Sequence, residues 1–491
     1  MKHFKLHLYI CIDIELGDFH YIIKCKVEII KNKLMKNLSR RKFITRTSAV
    51  AAGALLVPGI VRGGSGSASK GNGKVNIAVI GVGGQGQENW SECTNENVVA
   101  LCDVSETAAA DGFKKFPEAK RFKDFRVMFD KMAKEIDAVI VATPDHTHFA
   151  AAMAAMQLGK HICVEKPLAH NIWQLRTLRK AAKKYNVISQ MANQGHATIG
   201  IRYVKEWYEA GILGNVKEVI AWFNGPEFTP RGYFLKPDSY PPKEEPIPAG
   251  LDWDLWLGPV AYRPYSHFYI PRFWRGWYEL GNGELGDWAC HTLDAPFWSL
   301  DLGMPVSVDS LSRTPSSPKG FVSDKSILNF EFAARGTKPP VTLKWYEGGL
   351  KPENRPEWGL KELPASGMIM VGDKVSLMTG GRPNDPKLLL PDQEWKHFFE
   401  NKPSETIPRV EGGPRAEWLA AIKGNGPLPG SNFDYSARLT EMASIGVMAQ
   451  RFNTRIEYDA DNMKITNHPE FDIYVKEPVR RGWEYGEDLW K

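Results

Sequence analysis

Between residues 74 and 191 the chain alternates short apolar runs with longer amphipathic ones. Residues 74–80, 98–102, 136–142, 160–164 and 187–191 are runs of five to seven, dominated by Val, Ile and Ala. Runs of that length and composition read as strands buried on both faces. Residues 149–158 and 173–185 between them have helical spacing. Strands alternating with helices predict a doubly wound parallel sheet over residues 72–194. The pattern then changes. An amphipathic stretch, 202–210, stops at Gly211-Ile212-Leu213-Gly214. One strand, 216–223, precedes a long Pro- and aromatic-rich segment, 225–275. Period-two runs at 326–332, 340–346, 368–371 and 374–378 predict an open, mostly antiparallel sheet. Helices at 418–423 and 437–452 return to cover the core. Residues 195–491 therefore read as an α+β second domain, with proline-rich 237–248 and 314–319 as loops.

The first apolar run ends in Gly81-Val82-Gly83-Gly84-Gln85-Gly86, a G-x-G-x-x-G turn between a strand and a helix. Gly81 permits the tight turn, Gly83 lets backbone approach a pyrophosphate, and Gly86 lets the helix pack on the strand. The helix amino terminus then faces phosphate charge. The next strand ends in Asp103, 17 residues past Gly86. A carboxylate there accepts hydrogen bonds from an adenosine ribose and repels a 2′-phosphate, which favours NAD over NADP. A helix cap before Ser105-Glu106-Thr107-Ala108 is the alternative reading of Asp103. The first domain is thus expected to be a Rossmann-type domain.

Charge changes the picture only once it is located. The whole chain is formally +6. Residues 35–68 hold six Lys or Arg and no acid, while residues 69–491 are net −2. The body has no electrostatic footprint for nucleic acid. No run reaches the ~18–20 apolar residues of a membrane span. No C-x-x-C pair occurs among the six Cys, so no metal site is expected, and Cys102 and Cys163 read as small buried hydrophobes. Ser39-Arg40-Arg41-Lys42-Phe43-Ile44, a mild apolar region from Ala49 and small residues from Gly63 to Ser69 form a twin-arginine (Tat) export signal over 35–69. A chance Arg-Arg before a helix is the plainer alternative. The expected location is the periplasm, with the Tat export machinery as a partner. Residues 1–34 are read as an extension upstream of a true start at Met35.

Three further strand ends carry chemistry. Residues 136–142 lead into Thr143-Pro144-Asp145-His146-Thr147-His148, residues 160–164 into Glu165-Lys166-Pro167, and residues 187–191 into Asn193-Gln194-Gly195-His196. Ligands of doubly wound sheets bind at such ends. With these motifs and Gly283-Glu284-Leu285-Gly286-Asp287-Trp288-Ala289-Cys290-His291, the chain resembles the Gfo/Idh/MocA oxidoreductases, which include glucose–fructose oxidoreductase and inositol dehydrogenases, from about Lys74 onward. The resemblance implies that Lys166, Asp287 and His291 form the catalytic group. It also implies a second-domain sheet that makes a homo-oligomer interface.

Those residue types suit hydride transfer to or from a carbinol. His291 would take or return the hydroxyl proton. Asp287, four residues earlier, would share its helical face and hold a hydroxyl or steady the imidazolium. Lys166 would stabilise developing alkoxide charge. The plainer reading is a local Asp–His helix contact and a solvated lysine. Thr143, Pro144, Glu165 and Lys166 are expected at the cofactor, Glu165 alternatively being a surface charge. His148 is placed near the nicotinamide or in a capping role. Gln194 and His196 are taken as substrate contacts. Residues 253–298 hold six Trp. Sugars present apolar C–H faces, so Trp274 and Trp288 are expected beside substrate and Arg275 on a hydroxyl or carboxylate, the remaining Trp filling a core.

The first function class is an NAD-dependent oxidoreductase acting on a sugar, polyol or glycoside with a tightly held cofactor. A variant of it is a redox-neutral, NAD-dependent glycosidase working through a keto-sugar. The second class is a non-catalytic sugar-binding protein.

Overall fold

The computed structural model describes residues 73–314 and 320–484. The amino-terminal extension, the twin-arginine segment, Cys11 and Cys25, and most of loop 314–319 lie outside the described residues. The strands of the first domain are β1 (Asn76–Ile80), β2 (Asn97–Cys102), β3 (Lys120–Phe122), β4 (Ala138–Val141), β5 (His161–Val164) and β6 (Ser189–Met191). They form one parallel sheet in the order β3-β2-β1-β4-β5-β6. The connecting helices are α1 (Gln85–Ser91), α2 (Ala110–Lys115), α3 (Phe125–Met132), α4 (Asp145–Gln157) and α5 (Ile172–Lys184). β4 and β5 are apolar along nearly their whole length because helices cover both faces. The strand order reverses between β1 and β4, which opens a crevice above their carboxyl ends.

The second domain starts with α6 (Ile199–Glu209) and β7 (Val216–Trp222), then the long aromatic segment with α7 (Trp253–Leu257) inside it. Two consecutive helices follow, α8 (Gly283–Thr292) and α9 (Asp294–Ser299). The sheet is completed by β8 (Ser307–Arg313), β9 (Ser326–Phe332), β10 (Val341–Glu347), β11 (Gly367–Gly372), β12 (Leu377–Thr379), β13 (Lys387–Leu388), β14 (Ile456–Asp459) and β15 (Lys464–Ile465). Its nine strands run β13-β12-β11-β7-β10-β9-β8-β14-β15. All pairings are antiparallel except β7 with β10, so the sheet is mixed rather than wholly antiparallel. In β9 and β10 buried and half-buried residues alternate strictly, the signature of a sheet with one face on the core. Part of the other face is covered by the chain itself: Trp358 and Leu363 pack on Ile220, Trp222 and Ile369.

Three more helices, α10 (Asp392–Glu400), α11 (Gly413–Ile422) and α12 (Phe433–Phe452), follow the sheet's main body. α12 is buried along most of its length and packs on α5, α8, β8 and β9. α11 returns to the first domain, where Trp418 and Leu419 close the core formed by Val75, Ile77, Val79 and Ile140. The boundary near residue 194 therefore separates the two sheets but not two independent cores. Cys93, Cys102, Cys163 and Cys290 are free and buried. No helix among the described residues is long and apolar enough to cross a membrane.

Candidate active site

The β1–β4 crevice opens into a cavity of about 560 Å³ that continues between the two domains. Its cofactor half is shaped by missing side chains. A Cβ on Gly81, where φ is +82°, would lie 2.6 Å from the Ala142 carbonyl oxygen; one on Gly83 would lie 2.5 Å from that of Ala108. On Gly86 it would lie 2.0 Å from the Gly81 carbonyl oxygen, so this glycine serves helix packing and does not line the cavity. Asp103 lines the cavity and also braces the turn. Its Oδ2 accepts from the Val82 and Gly83 amides at 2.7 and 3.3 Å, and its Oδ1 accepts from the Ser105 amide at 2.9 Å. The cap-like contact to Ser105 is present, and a carboxylate's roughly four acceptor sites leave Asp103 capacity toward the cavity. Burial raises the Asp103 carboxyl, and those backbone donors hold it back.

Thr143, Pro144, Glu165 and Lys166 also line the cavity. The Thr143 hydroxyl is buried without a protein partner. This donor set, with a glycine turn open to a diphosphate and a ribose-type carboxylate, fits a nicotinamide dinucleotide. Glu165 is buried among apolar strands, which raises its carboxyl, and Arg415 counteracts this. Arg415, 1% exposed, donates to Glu165 Oε1 at 3.3 Å and to Asn89.

The substrate half is built from charge and aromatic surface. The helical spacing expected for Asp287 and His291 is realised in α8, so both face the cavity. Lys166 Nζ donates to Asp287 Oδ1 at 2.5 Å and to the Asp287 carbonyl at 2.9 Å. Arg275 Nε donates to the same Oδ1 at 3.3 Å. Burial alone would raise the Asp287 carboxyl, but Lys166 and Arg275 together hold it below the ordinary carboxylate range. Burial, followed by the cations Lys166 and Arg382, pushes His291 well below the ordinary imidazole value. Its Nδ1 is buried and unpartnered. That environment favours the uncharged imidazole over the imidazolium. Trp274 and Trp288 both line the cavity, and Trp256 and Trp483 line it as well. Gln194 lines it too, with a buried, unpartnered Oε1.

Two expectations are corrected. His148 does not line the cavity. Its Nδ1 lies 2.9 Å from the Pro167 carbonyl and its Nε2 2.7 Å from the Thr143 carbonyl. The first turn of α4 inserts the ring between the two strand-end loops, so it ties them together; burial lowers it to about 4. His196 likewise turns away. It is 3% exposed, and Nδ1 pairs with Asp294 Oδ1 at 2.9 Å in a buried cluster with Tyr435 and Asn193.

Other cavity residues carry no sequence motif. Arg382 comes from the loop after β12, Tyr233 from the long aromatic segment, and Asp145 from the start of α4. Burial lifts the Asp145 carboxyl to about 6. Its position in the Thr-Pro-Asp-His run was the one available signal; Arg382 and Arg415 had none.

Comparison with known proteins follows this geometry. A family model described as oxidoreductase family, NAD-binding Rossmann fold, matches residues 75–193, and its companion, the C-terminal alpha/beta domain, matches residues 198–316. The chain belongs to the Gfo/Idh/MocA oxidoreductase family, and its first domain is that family's NAD-binding domain. It is similar to a glycosyl hydrolase family 109 protein of Solibacter usitatus, 31% identical over 39% of this chain and 47% of the relative. It is also similar to a levoglucosan dehydrogenase of Pseudarthrobacter phenanthrenivorans, 26% identical over 40% of each. The matches thus span less than half the length of these relatives. Among solved structures, the WlbA dehydrogenase of Bordetella pertussis in complex with NADH and UDP-GlcNAcA superposes with a TM-score of 0.54, at 17% identity, over 79% of this chain and all of that one. That likeness concerns the fold.

Proposed function

We propose that the protein is an NAD-dependent dehydrogenase that moves a hydride between its cofactor and a ring carbinol of a sugar, polyol or glycoside. The observation that carries this is the meeting of Lys166, Asp287 and His291 in the cavity that begins at the glycine turn. A relative that is a levoglucosan dehydrogenase supports a carbohydrate substrate. The glycine turn, Asp103, Thr143 and Glu165 hold the dinucleotide, which when bound supplies hydride acceptance and donation. In the oxidative direction neutral His291 takes the hydroxyl proton. Lys166 and Arg275 stabilise negative charge on the oxygen as it develops. Asp287 fixes both cations, and Trp274 and Trp288 flank the ring. An acid–base group so placed is worth ~10²–10⁴-fold in rate.

The same reading includes a cofactor retained through purification, Tat export to the periplasm on the strength of Arg40-Arg41, and a homo-oligomer formed through the uncovered part of the mixed sheet. The test is to purify the protein, denature it and identify the released dinucleotide. NAD(H), with absorbance at 340 nm changing on addition of a pyranose or inositol, is the expected result. A protein that releases no dinucleotide and reduces none with any carbohydrate would refute the proposal.

A further inference from the structure

A second hollow, of about 380 Å³, adjoins the active-site cavity. The two share Trp288 and Arg382, so they are consecutive rooms with a common wall. Phe223 stacks on Trp288 with centroids 3.9 Å apart and planes 24° from parallel. The Arg382 guanidinium lies 4.7 Å from the Trp288 ring. Ser366, Asn384 and Asp385 complete the lining, and Arg382, Asn384 and Asp385 are exposed to solvent.

The wall is preformed. Thr292, at the end of α8, donates from Oγ1 to the Gly381 carbonyl at 2.9 Å, which fastens the loop after β12 to the helix bearing Asp287 and His291. On the other side a Cβ at Gly200 would lie 2.1 Å from the carbonyl oxygens of both Pro383 and Asn384, so the loop backbone rests directly on α6. Nothing in the hydride-transfer chemistry requires this hollow, since its lining includes neither the glycine turn nor Lys166 or His291.

Resting on the dehydrogenase reading above, we infer that this hollow is a seat for a second sugar ring, and that the substrate is a disaccharide or larger glycoside whose reacting ring lies in the main cavity. The lining suits one pyranose. Phe223 and Trp288, each only half-buried, offer apolar surface for C–H faces beyond the faces they stack on each other. Arg382 and Asn384 offer donors and Asp385 an acceptor for the ring hydroxyls, while the Ser366 hydroxyl is held by Asn224. The open rim lets a longer chain continue into solvent.

Calorimetric titration of the cofactor-loaded protein with matched pairs tests this: glucose against cellobiose and maltose, galactose against β-1,4-galactobiose, mannose against mannobiose, N-acetylglucosamine against chitobiose. One disaccharide is expected to bind at least about tenfold more tightly than its monosaccharide, a difference of 1.4 kcal/mol. Asp385→Ala and Asn384→Ala are expected to cut that ratio severalfold. Monosaccharide binding with no disaccharide advantage overturns the second seat while leaving the dehydrogenase reading intact. So does an advantage that both variants leave untouched. Failure of every sugar to bind the loaded protein overturns both.

Discussion

The glycine turn after β1 and helix α8, which carries Asp287 and His291, both line one cavity, but they are held in place by different means. Around the turn, backbone contacts backbone at distances that leave no room for a Cβ, and one carboxylate, Asp103, braces three amides. Around α8, shape comes from a buried set of opposed charges, Lys166 and Arg275 on Asp287, enclosed by tryptophans. The first arrangement is local in sequence and tolerates almost no added volume. The second is assembled from segments more than 100 residues apart and depends on charge balance. Different substitutions should therefore damage the two sides in different ways.

The largest effect belongs to the charged side. Lys166→Met should lower kcat by ~10²–10⁴-fold while the released dinucleotide stays near stoichiometric, because the ammonium acts on the reacting oxygen. Equal loss of cofactor and rate would erase the distinction between the halves. Gly86→Val should do the reverse, with dinucleotide content falling more than about tenfold, since a Cβ at 2.0 Å from the Gly81 carbonyl displaces helix α1 from the turn. Full occupancy in that variant would show the turn to be more plastic than its packing implies.

Titration sharpens the contrast further. Glu347, at the end of β10, is raised from 4.5 to about 7 by burial. The folded protein thus binds more protons than the unfolded chain between these values, and the stability from this group is lost as pH rises from about 4.5 to 7. Glu347→Gln should flatten that slope, by on the order of 2 kcal/mol across the window in urea unfolding; an unchanged slope would show that other groups set it. His291, lowered by burial, should put no acid limb near pH 6.5 in the kcat/KM profile for oxidation, since it already accepts protons there. The smallest effect should come from Asp103→Ser, a severalfold weaker preference for NAD over NADP, read from the ratio of the two kcat/KM values.

The same contrast explains how much the sequence disclosed. The glycine turn, Thr143-Pro144 and Glu165-Lys166 were legible because strand, turn and helix are contiguous and each residue type has a local steric or electrostatic reason. Asp287 and His291 were singled out by the family resemblance, and their four-residue spacing then placed both on one helical face. β3 was missed because Lys120–Phe122 is a three-residue edge strand without apolar runs, and β8 because Ser and Asp occupy much of Ser307–Arg313. His148 and His196 were misplaced because sequence shows a titratable side chain but not which carbonyls or carboxylates consume its nitrogens. Arg382 and Arg415 reach the cavity and its Glu165 wall only through the folding of distant loops and helices.

The crossing of α11 onto the first sheet has a consequence for how the molecule matures. Arg415 steadies Glu165, and Trp418 seals the hydrophobic interior beneath β1, yet both lie more than 320 residues downstream of the glycine turn. A nascent chain that has emerged only as far as the second sheet lacks the guanidinium that pairs with Glu165 and the indole that closes the core under the first sheet. The first sheet's interior is thus closed by a segment that follows strand β13, so the core of that domain is completed from outside its own stretch of chain.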